Sequence, residues 1–234
     1  PETTGTESVT DASDPAINYD GTALACLGDT GRSLYFLSGG KGQYLVKNKK
    51  MTAPSFDSFG WLWVAESDGA VRAYNAASTN EKERSKGIEI PVSWRSGMTF
   101  SSLRISHDGA RVVVVGTRDG TAAVVMSGVV RDSSGTPKGF TEPVRVTSSI
   151  TPRTAVWAGE QNLVVVNDKT GESEVTTLSG EETKFDRLDG VKSVSAAGNT
   201  SNMLAHRSDG SCYVLEERGW NRLNTSTREM SFAG

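Results

Sequence analysis

The chain has 234 residues, enough for one large domain or two small ones, and its 36% hydrophobic content is typical of a globular protein. It carries 25 Lys and Arg against 28 Asp and Glu, a formal net charge of -3, which argues against a nucleic-acid partner. No apolar run approaches the ~20 residues of a membrane span. The chain begins at Pro1 without an initiating Met, so we expect targeting information to lie upstream.

Short apolar runs separated by Gly-containing turns recur along the chain, while helical periodicity is nearly absent. Each unit contains a semi-apolar run, a turn with glycine and a stronger apolar run, as in "SSLRISHDGARVVVV" and "PRTAVWAGEQNLVVV". The aligned glycines are Gly21, Gly60, Gly109, Gly159 and Gly198. Their spacings of 39 to 50 residues match a four-stranded propeller blade.

The repeat predicts an all-β fold, a beta-propeller of four-stranded antiparallel blades, with five blades as the first expectation and six as the alternative. Residues 1–13 are read as a polar lead or an outer closing strand, and 14–234 as one propeller domain. The end of the chain, "TSTREMSFAG", resembles the start of a further unit. The predicted units are 14–51, 52–97, 98–149, 150–188 and 189–234.

The third unit is the clearest, and its strands are predicted at Ser102–Ser106, Arg111–Thr117, Thr121–Met126 and Pro143–Thr147. The second strand of each unit is the most apolar, which suits a strand covered on both faces by neighbouring blades. A single blade cannot bury both of its faces, so a ring of units is expected.

Two units are longer than the others, and both carry the excess between their third and fourth strands. The insertions are "NAASTNEKERSKG" and "RDSSGTPKGFTE". Because equivalent hairpins emerge on one rim of a propeller, these loops should lie side by side, either as neutral decoration or as a protein-docking surface. Phe140 would be its apolar anchor. The candidate surface residues are Glu81, Lys82, Glu83, Arg84, Lys138 and Phe140.

Ser106, His107 and Asp108 bring together the residue types of a catalytic triad, but they are consecutive. A triad needs side chains that converge from separate places, and only the turn chemistry of Asp before Gly recurs in the other units. We therefore predict a tight turn here and no catalytic residue. His206 is expected to be a packed or edge residue of a strand.

The predicted innermost strands carry few acids, so an acid pair for glycoside hydrolysis is missing. Arg104 is the exception among them, as a long cation that either binds an anion in the tunnel or reaches to its mouth. Asp11 and Asp14 are too few for a calcium site. No cofactor-binding or metal-binding residues are predicted.

Cys26 and Cys212 are read as small core residues, with a long-range disulfide as the alternative in an oxidising compartment. Trp61 and Trp63 alternate on one face of a strand and should pack between blades. The remaining tryptophans lie near strand ends, where core packing and sugar stacking look alike; core packing is favoured. They are Trp94, Trp157 and Trp220.

The stretch "LRISHDGARVVVVGTRDGTAAVVMSGVVRD" resembles the centre of the propeller domain of the LpqB-type actinobacterial lipoproteins. "AINYDGTALACL" and "SFDSFGWLWVAESDG" resemble the first two blades of that domain. The likeness spans most of residues 14–222 and is strongest in the third unit.

The resemblance implies a lipid-anchored protein on the extracytoplasmic face of the cell membrane, of which this chain is a soluble fragment. It also implies a partner, the external domain of an MtrB-like sensor histidine kinase in the control of the cell envelope and division. The expected function is therefore a non-enzymatic interaction module in a two-component system. A propeller that binds cell-wall carbohydrate or a small ligand is the alternative, and a hydrolase is the weakest reading.

Overall fold

The structure is a computed structural model that describes residues 9–146, 148–167, 169–178, 188–196, 203–216 and 219–226. Within these ranges the strands form five antiparallel sheets, each built from consecutive segments of the chain. The sheets are the blades of a five-bladed beta-propeller, as the glycine spacing predicts. The predicted closing strand and the C-terminal "SFAG" fall largely or wholly on residues outside the described ranges.

The first two blades have four strands each, and the second also carries the short helix α1. The first blade contains β1 (Ser13–Ile17), β2 (Ala23–Gly28), β3 (Ser33–Ser38) and β4 (Lys41–Val46). The second contains β5 (Ser55–Phe56), β6 (Trp61–Ala65), β7 (Val71–Asn75), α1 (Glu81–Lys86) and β8 (Ile88–Ile90).

The third blade has an additional strand, the described part of the fourth has three strands, and the fifth again has four. The third contains β9 (Thr99–Ile105), β10 (Arg111–Arg118), β11 (Thr121–Arg131), β12 (Pro137–Phe140) and β13 (Val144–Val146). The fourth contains β14 (Pro152–Ala158), β15 (Asn162–Asn167) and β16 (Ser173–Thr177). The fifth contains β17 (Val191–Ala196), β18 (Met203–Arg207), β19 (Ser211–Glu216) and β20 (Gly219–Ser226).

Both insertions have more structure than the loops that the sequence predicts. The first contains α1, which is capped by Asn80 accepting a hydrogen bond from the amide of Lys82. The second is a hairpin, because β11 continues beyond Met126 and its extension pairs with β12. The fourth strand of this blade, β13, pairs with the first part of β11.

Side chains along the second strand of a blade point alternately to its two faces and fill the core on each side. In β10, Val112 and Val114 pack against the second blade, whereas Val113 and Val115 pack against the fourth. All four side chains are almost completely buried. This explains the apolar run in the sequence. Because β10 is covered on both faces, the residues that point to either face are apolar, and the strand reads as consecutive valines.

The alternation of side chains along β2 and β18 also shows which faces of the first and fifth blades carry Cys26 and His206. Leu27 packs against the second blade and Ala205 against the fourth. Cys26 and His206, which neighbour them in sequence, therefore point to the opposite faces, toward each other's blade. Cys212 in β19 is the cross-strand partner of His206 in β18, so both side chains lie on the same face of the sheet. All three side chains are buried.

Candidate interaction rim and central channel

Ser106, His107 and Asp108 form a turn, as predicted. The Ser106 hydroxyl donates to Asp108 over 2.6 Å, and the backbone of Gly109 has a φ of 66°, which suits glycine. Burial raises the pKa of the Asp108 carboxyl, but its hydrogen bonds and a nearby arginine outweigh this and lower it. The His107 ring turns away and lies 4.7 Å from the ring of Tyr19. The three side chains therefore do not form a triad.

The turns between first and second strands bring aromatic side chains together at one end of the ring. The amide of Ser58 donates to the carbonyl of His107, which ties the turns of the second and third blades. Tyr19 is 60% exposed and Phe59 is 52% exposed, so both present apolar surface to solvent. In the sequence, Tyr19 and Phe59 stand just before the aligned glycines of the first two units, and this shared position is the signal that could have indicated an aromatic surface.

Both insertions lie on this same rim. A Cβ placed on Gly60 would meet Ala77 of the first insertion, and one placed on Gly135 of the second would meet the ring of Phe59. The two insertions thus flank the turn of the second blade. We call this surface, comprising Tyr19, Phe59, His107 and the two insertions, the interaction rim.

Helix α1 packs against β4 of the first blade and β7 of the second. The candidate surface residues on it differ in their contacts. Arg84 lies 5.5 Å from the ring centroid of Phe36 and donates to the carbonyl of Ser78 over 2.8 Å. Glu83 accepts from the Ser78 hydroxyl. Arg84 therefore ties the helix to the first blade, whereas the hydrogen bond of Glu83 stays within the insertion. Glu81, Lys82 and Glu83 are exposed, and Arg84 is partly buried.

The two candidate surface residues on the hairpin of β11 and β12, Lys138 and Phe140, differ in their exposure to solvent. Lys138 is 57% exposed and forms an ion pair of 3.1 Å with Asp132. Phe140 is half-buried, with its ring centroid 6.0 Å from that of Trp63 and 6.3 Å from that of Trp94. Lys138 is therefore presented to solvent, whereas Phe140 contributes to packing between the second and third blades.

A buried ion pair beneath the rim escaped the sequence analysis. Asp57 is fully buried and accepts from Arg131 over 2.6 Å and from the indole of Trp63 over 2.8 Å. Arg131 also donates to the carbonyl of Gly109 and lies over the ring of Phe59 at 4.4 Å. The pair fastens the hairpin of the third blade to the turn of the second. The partners are 74 residues apart, so no local pattern indicates them.

Arg104 lies in the central channel, in a cavity of about 180 Å³ lined by residues of all five blades. Its Nη1 donates to the carbonyls of Ala53 and Pro54 over 2.7 and 3.1 Å, which links the third blade to the second. Burial lowers the pKa of Arg104, and the carboxylate of Asp14 opposes that shift. The cavity lies toward the end of the channel remote from the interaction rim, because most of its lining residues precede or begin the innermost strands.

The tryptophans pack as the sequence predicts. Trp61 and Trp63 join the core between the second and third blades. The other three also contact core clusters, and the indole of Trp157 donates to the carbonyl of Arg104 over 3.0 Å. Their rings therefore do not form an open surface for sugar stacking.

The cysteines and His206 are also core residues. Cys26 and Cys212 are buried and are not joined in a disulfide, so the disulfide reading is wrong for this structure. His206 is 5% exposed in β18. In the described part of the chain, no group of three His, Cys, Asp or Glu side chains is placed to hold a metal ion. The described residues also contain no helix of the length and apolarity needed to cross a membrane.

The fold and this geometry define a five-bladed propeller with two insertions on one rim and a narrow polar channel. The family model for the lipoprotein LpqB beta-propeller domain matches residues 2–230, and the chain belongs to this family. Two relatives named lipoprotein LpqB, from Streptomyces avermitilis and Streptomyces coelicolor, are each 27% identical over 171 and 177 residues. Each match covers 67% of this chain and 27% of the relative, so the chain spans about a quarter of their length.

Solved structures with the same architecture are much more distant in sequence. Hydrazine synthase of Kuenenia stuttgartiensis matches with a TM-score of 0.59 at 16% identity, covering 95% of this chain and 69% of that one. The Swd1 propeller of Myceliophteria thermophila matches with a TM-score of 0.60 at 10% identity, covering 90% and 66%. At these identities the likeness concerns the fold alone.

Proposed function

We propose that the chain is the propeller of a lipid-anchored extracytoplasmic protein that acts without catalysis, by contact with the external domain of an MtrB-like sensor histidine kinase. Membership of the LpqB propeller family supports the compartment, and the partner proposed is the one that the family resemblance implies. Its lipoprotein relatives support a location outside the membrane. The contact would modulate two-component signalling in the control of the cell envelope and division.

The interaction rim is the surface best suited to this contact. It combines exposed aromatic side chains with two insertions on a rigid scaffold, and protein-binding sites favour both features. Tyr19 and Phe59 supply apolar area, while Glu81, Lys82 and Lys138 supply charges at the edge. Such a surface resembles an interface with an aromatic centre and a polar rim.

Titration calorimetry with the external domain of the kinase tests the proposal. We expect Tyr19→Ser to weaken binding more than about tenfold, because aromatic anchors dominate most interfaces. The charge reversal Lys82→Glu should have a smaller effect and should change the dependence on salt. The matched control is Lys169→Glu, an exposed lysine in the β15–β16 turn on the opposite rim, which should bind as the wild type does.

Two results would overturn the proposal. Absence of binding by the wild-type propeller would exclude the kinase domain as partner, and equal affinities for Tyr19→Ser and the wild type would exclude the interaction rim. Turnover in a broad screen of ester, glycoside and peptide substrates would show that the protein is an enzyme instead.

A further inference from the structure

The lining of the channel cavity is dominated by polar side chains in an all-β protein whose other inner surfaces are apolar. Every blade contributes to it. The cationic members are Arg104, Arg153 and Lys192, and Asp14 is the one acid among the described lining residues. Hydroxyl groups add to the lining, from Thr52, Ser101, Ser102, Thr154 and Ser193, and the remaining members are apolar: Leu27, Met51, Ala53 and Val194.

Backbone irregularities place these polar residues at equivalent positions. The pairing of first and second strands shifts between Ser13 and Ala16, at Ser101, between Pro152 and Thr154, and between Val191 and Ser193. Asp14, Ser101, Arg153 and Lys192 therefore occupy bulges in four innermost strands. A bulge re-aims a side chain, and bulges are common next to functional sites. Four bulges around one cavity indicate a built lining rather than scattered surface polarity.

The cations keep hydrogen-bonding capacity after their structural contacts are made. Arg104 uses Nη1 for two carbonyls, and no described residue accepts from its Nη2 or Nε. Arg153 uses Nη2 for the carbonyls of Val191 and Lys192, each at 3.1 Å. No described residue accepts from the ammonium of Lys192. A guanidinium has five N–H donors, so several remain for a ligand.

Charge in the cavity is unbalanced. Three cations surround a space that holds one carboxylate, which leaves an excess of two positive charges in a chain of net charge -3. Repulsion between Arg104 and Arg153, which are only partly exposed, is stronger than it would be in water, and an anion in the cavity would relieve it. The cavity of about 180 Å³ has room for about six water volumes of ~30 Å³ each.

We propose that the channel binds one small free oxyanion, of the size of phosphate, between Arg104, Arg153 and Lys192. The guanidinium groups and the ammonium donate charge-assisted hydrogen bonds to its oxygens, and the bulged Ser101 hydroxyl lies beside them. Asp14 opposes the anion and limits its affinity. The site lies away from the interaction rim, so it is independent of the proposed contact with a kinase.

Titration calorimetry of the propeller with inorganic phosphate, against a sodium chloride reference of equal ionic strength, tests this site. We expect saturable binding of one phosphate per chain. Lys192→Gln should weaken it roughly tenfold, because it removes one cation and its charge-assisted hydrogen bond to the anion. Asp14→Asn should strengthen it, because it removes the one opposing charge. Lys192 is exposed, so its variant keeps the fold even if Arg104→Gln does not.

Lys169→Gln is the matched control, because this exposed lysine belongs to the fourth blade but does not line the cavity. It should bind phosphate as the wild type does. The site is refuted if phosphate gives no saturable signal beyond the chloride reference, or if Lys169→Gln weakens binding as much as Lys192→Gln. An Asp14→Asn variant that binds no more tightly than the wild type would also contradict it.

Discussion

Asp57 shows how a single buried carboxylate can fix the contact between two blades. Its oxygens accept from the amides of Phe59 and Trp61, from the indole of Trp63 and from Arg131. A buried charge is tolerated only when it is paired and hydrogen-bonded, and this one has four donors. Removal of either charged partner would leave the other buried without compensation.

Asp57→Ala should lower the free energy of unfolding by about 3–5 kcal/mol, the usual cost of breaking a buried ion pair. Denaturant unfolding followed by tryptophan fluorescence measures this change. Lys138→Met is the control, because it breaks an exposed pair on the same hairpin and should cost less than about 1 kcal/mol. Similar losses for the two variants would show that the Asp57–Arg131 pair does not hold the blades together.

At the scale of elements, the glycine repeat predicted the blades because each turn between first and second strands needs a positive φ at the same place. The structure shows this at Gly21, Gly60, Gly109 and Gly159, while Gly198 lies outside the described residues. The content of the insertions could not be predicted in the same way. Helix α1 has six residues, none of them buried, so it has no apolar periodicity. Its signals are the cap at Asn80, acids in the first turn, bases in the last turn and Gly87 at the end, and these are weak in so short a segment.

The residues that line the channel could be predicted only in part from the sequence. Arg104 could be predicted as a channel residue because it stands in a regular inner strand, two residues before the turn. Arg153 and Lys192 could not, since bulges shift their register and alternation no longer tells which way the side chains point. Only the closed ring shows that these residues from three blades share one cavity.

Phe140 decides whether the hairpin of β11 and β12 is a packing element or an anchor for a partner. Phe140→Ala should lower the free energy of unfolding by about 2 kcal/mol, because a fully buried Phe costs about 3–5 kcal/mol and this ring is half-buried. Urea denaturation measures the loss, and Phe140→Leu should recover most of it. Unchanged stability together with lost kinase binding would instead make Phe140 the docking anchor.

At the scale of the whole molecule, closure distinguishes this ring from an open array of repeats. Terminal repeats of an open array need polar outer faces, whereas in a closed ring the first and last blades face one another. Cys26 on the first blade and Cys212 and His206 on the fifth have exposed fractions of 5% or less, and we expect the interface between these two blades to bury them. Opening of this single interface would expose both thiols at once.

The reactivity of the two cysteines should therefore report ring closure. In the single-cysteine variants Cys26→Ala and Cys212→Ala, the remaining thiol should react with a thiol reagent at similar slow rates, because each waits for the same opening. Both rates should rise in parallel in urea below the main unfolding transition, since the interface between the ends of the chain lacks a covalent connection. Stopped-flow absorbance measures them. Rapid reaction of one thiol while the other stays protected would mean that the first and fifth blades do not bury them in a shared interface.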